Sequence, residues 1–386
     1  MDRRRFLSGS LKTATLALSS LSLSSVLTTG CSPTASLKIS ILKGSIPATL
    51  INELKKGLPE SVSLEAIPVS QLDLLFQSLK REPKNSENSL WRSLAFWQTA
   101  PSAPDLVTLG DVWLREAIAN QLIQPIDTSL LSWDQLPKSW QSLVMRDRQG
   151  NLDPNGEVWG VPYSWGTTAI VYRPDQFKSL GWEPTDWSDL WREELQGQIS
   201  LLNQPREVIG LTLKSLGYSY NTPDLETIPE LLPTLKQLNR QVKFYSSDQY
   251  LQPLIEGDSW LALGWSTDIL SILNQYKLKA IIPQSGTALW ANIWVSPKLS
   301  PKNSGIQEWM NQFLNSDLAL KLSQFTDTAS PLLITTNRDS LPASIFQSGV
   351  KFPDPTIFAN SEFLFPLSEQ TQQSYTQLWK QMRSNE

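Results

Sequence analysis

The sequence predicts an α/β fold shared between two lobes, on three observations. Short apolar runs that read as strands alternate with amphipathic runs that read as helices, the pattern of βαβ units around a parallel sheet. Beyond its first 31 residues the chain still holds about 350, too many for one ordinary core and suited to two domains. Residues 197–222 (GQISLLNQPREVIGLTLKSLGYSYNT) read as strand, tight turn and helix. At such a turn an α/β fold presents ligand-binding groups.

Taken in order, residues 1–31 read as an address. Asp2-Arg3-Arg4-Arg5-Phe6-Leu7 resembles a twin-arginine export motif. The Ala/Leu/Ser/Thr run that follows is too short and too poor in large apolar residues for a membrane span. Cys31, the one cysteine of the chain, closes it after Leu27-Thr28-Thr29-Gly30. This is similar to a lipobox, with Thr28 where a large aliphatic residue is usual. A lone cysteine there reads as a lipid acceptor; cleavage that leaves a free thiol is the other reading. Strands are expected at 37–42, 62–68 and 105–109, with helices near 49–58, 71–80 and from 112 to 119. Residues 81–104 form a polar insertion in which Leu90, Trp91, Leu94, Ala95 and Trp97 share one helical face. It reads as a surface loop with a packed helix, or as a lid or contact for a membrane partner.

Residues 157–173 are a dense apolar and aromatic run. In the 197–222 stretch, 198–202 is a strand and Pro205 fits the first helical position. Ile209, Leu213 and Leu216 keep helical register, and Gly217 can end the helix in a left-handed cap. The turn carries Asn203, Gln204, Arg206 and Glu207. A helix over 226–242 presents Leu231, Leu235 and Leu238, with Pro229 and Pro233 near its start. Strands at 260–265, 280–282 and 289–295 follow, the first ending beside Ser266, Thr267 and Asp268. Helices are expected at 305–323 and 368–383. There is no internal repeat.

The chemistry open to this chain is limited. It has no histidine, so Ser-His-Asp, Cys-His and histidine metal sites are excluded. No phosphate loop and no nucleophile elbow is present, and no metal or cofactor is expected. Carboxylates could do acid–base work and tryptophans could suit a sugar cleft, but nothing pairs two carboxylates. The leader carries a net charge of +3 within a total of −4, which leaves the rest of the chain at −7. Acidity without a basic run argues against nucleic acid and is compatible with a cationic ligand. Sixteen tryptophans is many for this length. Trp165, Trp265 and Trp290 fall at ends of expected strands, and Trp113 near a helix start. Such rings can wall a cleft, where a cation over one contributes about 0.5–2 kcal/mol, or simply fill a core.

Several motifs, in order and spacing across most of the chain from Leu37 on, resemble one family, the solute-binding proteins of polyamine ABC importers (spermidine/putrescine-binding proteins). They are Ile123-Gln124-Pro125-Ile126-Asp127, Val161 through Ile170, and Trp187 with Leu190-Trp191. Arg206-Glu207-Val208 and Leu216-Gly217-Tyr218-Ser219-Tyr220-Asn221-Thr222 follow. Glu256-Gly257-Asp258, Gly264-Trp265 and Leu289-Trp290 complete the set. The resemblance implies a type II periplasmic binding protein fold, with a ligand cleft between two lobes joined by crossing strands. Crossings near Gly166, Trp290 and Thr336 give one lobe of 37–166 plus 291–335 and another of 167–290 plus 336–386. Trp165 and Trp290 then face the cleft from hinge strands.

The resemblance also implies a function, closing on a solute and delivering it to a membrane permease; the leader's own motifs place the chain outside the cytoplasmic membrane, held by lipid on Cys31, and a monomer is expected. Trp265 and Trp290 match aromatic walls, and Glu207 matches a carboxylate that binds an amine. Gln204 stands in place of a carboxylate, Asn292 in place of the Asp that grips the far ammonium. Lys43 stands in a loop where the family has Trp, and Thr328 or a neighbour replaces an aromatic. A buried ammonium without its counter-charge costs about 3–5 kcal/mol, roughly a hundredfold to a few thousandfold in affinity. Asp268 or Asp111 could supply a relocated carboxylate. Glu207 itself could contact ligand or only cap its helix, and Arg206 could neutralise Glu207 or meet an anion. The solute expected is polyamine-like. A neutral or anionic organic solute, a carboxylate-dependent saccharide enzyme, and a sensor that kept the fold are the alternatives.

Overall fold

A computed structural model describes residues 35–80, 103–301, 304–346 and 348–384. The arginine motif, Cys31 and nearly all of the 81–104 insertion lie outside the described residues. The core is one sheet of eleven strands. Its main path runs Val62–Val69, Ala35–Leu42, Leu106–Gly110, Ala288–Pro297, Val161–Tyr172, Leu261–Trp265, Ile199–Leu202, Val242–Ser246. The three strands at each end are parallel. The two in the middle are long, 10 and 12 residues, and antiparallel to each other and to their outer neighbours. Every residue of Val161–Tyr172 is buried, because helices and strands cover it on both sides.

Two apolar clusters form on this sheet. The first takes Leu37, Leu109, Tyr163, Trp165, Leu289, Trp294 and Trp309; the second takes Ala169, Ile199, Ile209, Leu235, Leu263 and Ala288. The chain therefore changes cluster between Trp165 and Ala169 in one central strand and between Ala288 and Leu289 in the other. Beyond Thr336, where a third crossing was expected, the chain feeds both clusters. Leu333, Ile345, Phe352 and Phe363 pack in the first, and Val350, Tyr375 and Met382 pack in the second. The tether is Ala329, whose N–H and C=O exchange hydrogen bonds with Trp165 at 3.0 and 2.9 Å.

Local signals account for most boundaries. Pro205 opens helix Pro205–Ser215, and Gly217 follows it at φ +86°. Helix Leu231–Gln241 begins after Pro229 and keeps Pro233 in its first turn, where a missing N–H leaves no bond unmade. The single helix expected over 305–323 is two, Ser304–Gln312 and Ser316–Phe325. Asn315 starts the second by accepting from the N–H groups of Asp317 and Leu318, a cap that competes with continuing the first. Helix Ser266–Tyr276, unanticipated from the sequence, leaves strand 261–265 directly.

Candidate functional site

The seam between the clusters is drawn tight around Gly166. It stands opposite Trp290 in the ladder. A Cβ there would lie 2.2 Å from Trp290 Cζ2 and 2.5 Å from Ser266 Oγ, closer than real contacts allow. Thr167 N–H donates to Ser266 Oγ at 3.1 Å, and Trp290 Nε1 donates to Thr167 O at 3.2 Å. The Thr167 hydroxyl donates to Val350 O (3.3 Å) and the Thr287 hydroxyl to Thr168 O (2.6 Å). These bonds fix the half-buried Trp290 where the chain crosses.

Glu207 reaches the same seam from the first turn of helix 205–215 and is 7% exposed. Its carboxylate does not cap its own helix. Both oxygens accept from the Thr168 hydroxyl, at 3.2 and 3.1 Å, and the Trp265 side chain lies near enough to help hold its pKa down. Trp265 is held in turn: its N–H donates to Tyr250 Oη at 3.3 Å, with the two rings edge-on 5.8 Å apart. Tyr250 lies over Gly264, where a Cβ would come within 2.3 Å of the ring. Its hydroxyl donates to Asp268 Oδ2 at 2.6 Å.

From the first cluster comes Asp111, at the end of strand 106–110 and also buried. Its Oδ1 accepts from Ala291 N–H at 3.1 Å. Burial pushes the Asp111 carboxyl up to about 6, against the Ala291 hydrogen bond and the charge of Arg146. Burial pushes Glu207 up to about 7; Thr168, Trp265 and Arg206 pull it down, and Asp111 adds to the rise. Among the described residues neither carboxylate is in an ion pair. The two nearby cations are bonded elsewhere. Arg146 donates to Leu143 O (2.8 Å) and Gly150 O (3.1 Å). Arg206 donates to Tyr220 O, Tyr375 Oη, Asn221 Oδ1 and Phe365 O, so it meets no anion at the seam.

The remaining candidates fall differently. Trp165 is a correction. It is fully buried, packed against Trp140, Phe352 and Phe358, because its position on the crossing strand points into the first core. Trp113 stacks on Phe76 (5.9 Å, 15°) over Gly110. Gln204 donates to Ser247 Oγ at 3.1 Å. Asn292 is 2% exposed; its Nδ2 donates to Ser164 Oγ at 3.1 Å. Lys43 is exposed, and the buried Thr328 pairs its hydroxyl with Thr326 at 2.9 Å. Thr168 and Tyr250 were not singled out from the sequence, and Ser266 was named only as lying beside a strand end. Thr168 sits inside a long matched motif, and nothing local marks Tyr250, whose role depends on a distant strand. Chemically, the seam gathers acceptors and rings suited to holding positive charge. Among the described residues no cluster of Cys, Asp and Glu is suited to a metal ion.

Known proteins bear on this geometry. The model of the bacterial extracellular solute-binding protein family matches residues 78–353. The spermidine/putrescine-binding periplasmic protein of Escherichia coli (strain K12) is 27% identical over 264 residues, 68% of this chain and 72% of its own. The putrescine/cadaverine-binding protein of Pseudomonas aeruginosa is 25% identical over 266 residues, 64% and 74% of the two. Among solved structures, a spermidine/putrescine ABC transporter substrate-binding protein of Streptococcus pneumoniae superposes with a TM-score of 0.73 at 21% identity. The match covers 90% of this chain and 98% of that one.

Proposed function

Because the chain belongs to the bacterial extracellular solute-binding proteins, we propose that it binds a polyamine-like cation at the seam and passes it to an ABC permease. The observation that carries this reading is Glu207. It is a buried carboxylate with no ion-pair partner among the described residues, bonded by Thr168 and close to Trp265 where the two clusters meet. A buried carboxylate is stable in its charged form only beside a positive group, and a protonated amine supplies one. Trp265 and Trp290 offer ring faces, each worth about 0.5–2 kcal/mol to a cation. The named relatives bind spermidine, putrescine or cadaverine.

In this reading the clusters are two lobes, 37–166 with 291–335 and 167–290 with 336–386, the 336–363 segment packing on both. Closure of the lobes on the solute is the working step, and no bond is made or broken. Export through the arginine motif and a lipid on Cys31 hold the monomer outside the membrane, beside its permease. Neutral Gln204 and Asn292 favour a second reading, a neutral or anionic organic solute.

Thermal unfolding against a panel of polyamines, amino acids, organic anions and short sugars decides between them. A solute at a hundred times its Kd adds about 2.7 kcal/mol to the folded state. Polyamines should raise the midpoint in the wild type and not in Glu207→Gln or Trp265→Ala. A rise with an anion or sugar alone would replace the cation reading by the second one.

A further inference from the structure

We propose that Lys351 is a positioning residue, a clasp on the third crossing between the clusters that holds the lobes together and slows the escape of the solute. The inference rests on the reading of the clusters as lobes that close on a cation. Its starting point is where the chain crosses. Val350 is buried in the second cluster and Phe352 in the first, so the two lobes divide at Lys351. The central strands cross inside the sheet, held to each other by their ladder. Residues 348–354 belong to neither helix nor strand, so this crossing depends on single contacts. Gly349 turns the chain into it at φ +66°, and Lys351 N–H donates back to Ser348 Oγ at 3.2 Å.

Those contacts pull to opposite sides. Val350 O accepts from the Thr167 hydroxyl at 3.3 Å and follows the central strand into the second lobe. Phe352 lies edge-on to Trp165 and Phe346, with ring centres 5.8 and 5.7 Å away, and Arg338 donates to Pro353 O at 3.0 Å. Between them the Lys351 ammonium donates to the carbonyl of Thr326, the residue that ends helix Ser316–Phe325. A helix C-terminus favours a cation. Asp327 comes next, and the two charges act on each other. Burial pushes the Lys351 ammonium down and the Asp327 carboxyl up, and each charge pulls the other back. Two residues further on is Ala329, the tether to Trp165. A carbonyl, a carboxylate and the tether, all of the first lobe, are thus gathered around the one ammonium at the crossing. Opening the lobes carries Val350 away from this group and draws Lys351 after it. Apolar contacts tolerate a small slide, but a charge-assisted hydrogen bond holds only over a narrow range of distance and angle. Lys351 therefore weights the equilibrium between open and closed lobes.

The test is stopped-flow measurement of 1,4-diaminobutane binding and release, with small-angle X-ray scattering of the solute-free protein. Lys351→Met keeps the length of the stem and removes the charge. It should speed release by about tenfold, as expected for one hydrogen bond to a charged group, and change the association rate by less than about threefold. Its solute-free radius of gyration should exceed that of wild type. Lys351→Arg, which can meet the same carbonyl and carboxylate, should restore both values. Asp327→Asn leaves the carbonyl in place and should give a smaller change in the same direction, a test that stands even where Lys351→Met folds poorly. A Lys351→Met protein that loses thermal stability but keeps the wild-type release rate and radius has lost only a structural bond, and overturns the clasp while leaving the cation reading intact. Failure of the diamine to bind wild type removes the cation reading, and the scattering comparison then decides alone: a larger radius in Lys351→Met upholds the clasp and an equal one overturns it.

Discussion

Gly166 shows how little room the seam leaves. A methyl group there meets a rigid indole and a hydroxyl that already accepts the Thr167 N–H. Neither can move without giving up a bond, so Gly166→Ala should destabilise the protein by about 1–3 kcal/mol. Because Trp290 must tilt, it should also weaken solute binding more than tenfold. Urea unfolding and titration of the same variant check both, and an unchanged affinity would separate Trp290 from the site. At this scale the sequence was informative about chemistry and poor about direction. Glu207, Asp111, Trp265 and Trp290 could be picked out as carboxylates and rings near strand ends, and the structure sets each beside the two central strands, Asp111 on Ala291, Trp290 on Thr167 and Glu207 on Thr168. Trp165 could not be told from Trp290, because which face of a strand is covered depends on what packs over it. Tyr250 was invisible for the same reason.

Helix 205–215 and helix Glu369–Arg383 are joined chiefly by Arg206. Its guanidinium bonds Tyr375 Oη (2.6 Å), Asn221 Oδ1 (2.7 Å), Tyr220 O and Phe365 O (3.3 Å), and lies 5.1 Å from the Tyr375 ring. A lysine cannot reach so many acceptors from one planar fork. Arg206→Lys should cost about 1–3 kcal/mol of stability and change solute affinity less than tenfold, since Glu207 keeps Thr168 and Trp265. Paired unfolding and binding curves test this; a large loss of affinity at full stability would return Arg206 to the site. Elements with local signals were legible to within a residue or two, such as strand 62–69 from its apolar run and helix 205–215 from Pro205 and Gly217. Helix 266–276 was not, because Trp265 stands at its N-cap position without a side-chain bond and Asp268 in the first turn is a weak start signal by itself.

Over the whole molecule, the two buried carboxylates tie stability to pH. Both are raised by burial, to about 6 and about 7. The folded, solute-free protein thus holds protons that the unfolded chain has released by about pH 4. Where the folded state binds more protons, stability falls as pH rises. Their contribution should therefore be fully present below about pH 4 and be lost progressively as pH climbs to about 6 to 7. The solute-free midpoint should fall between about pH 4 and pH 7 and level off above, and Glu207→Gln or Asp111→Asn should flatten the fall. A bound dication should cancel it by stabilising the charged forms. Midpoints measured across that range with and without diamine decide; a flat profile for the free wild type would mean the carboxylates are already compensated.

The place of strand 288–297 has a consequence for how the chain is made. In the sheet it lies between 106–110 and 161–172, yet it follows both by more than a hundred residues, and the first core still awaits Phe363. Long-range pairing of this kind slows folding. As the nascent chain emerges, two strands with open hydrogen-bonding edges must wait for the one that joins them. Exposed edges of that sort template aggregation, so efficient production should depend on a chaperone that shields the chain until strand 288–297 has been synthesised.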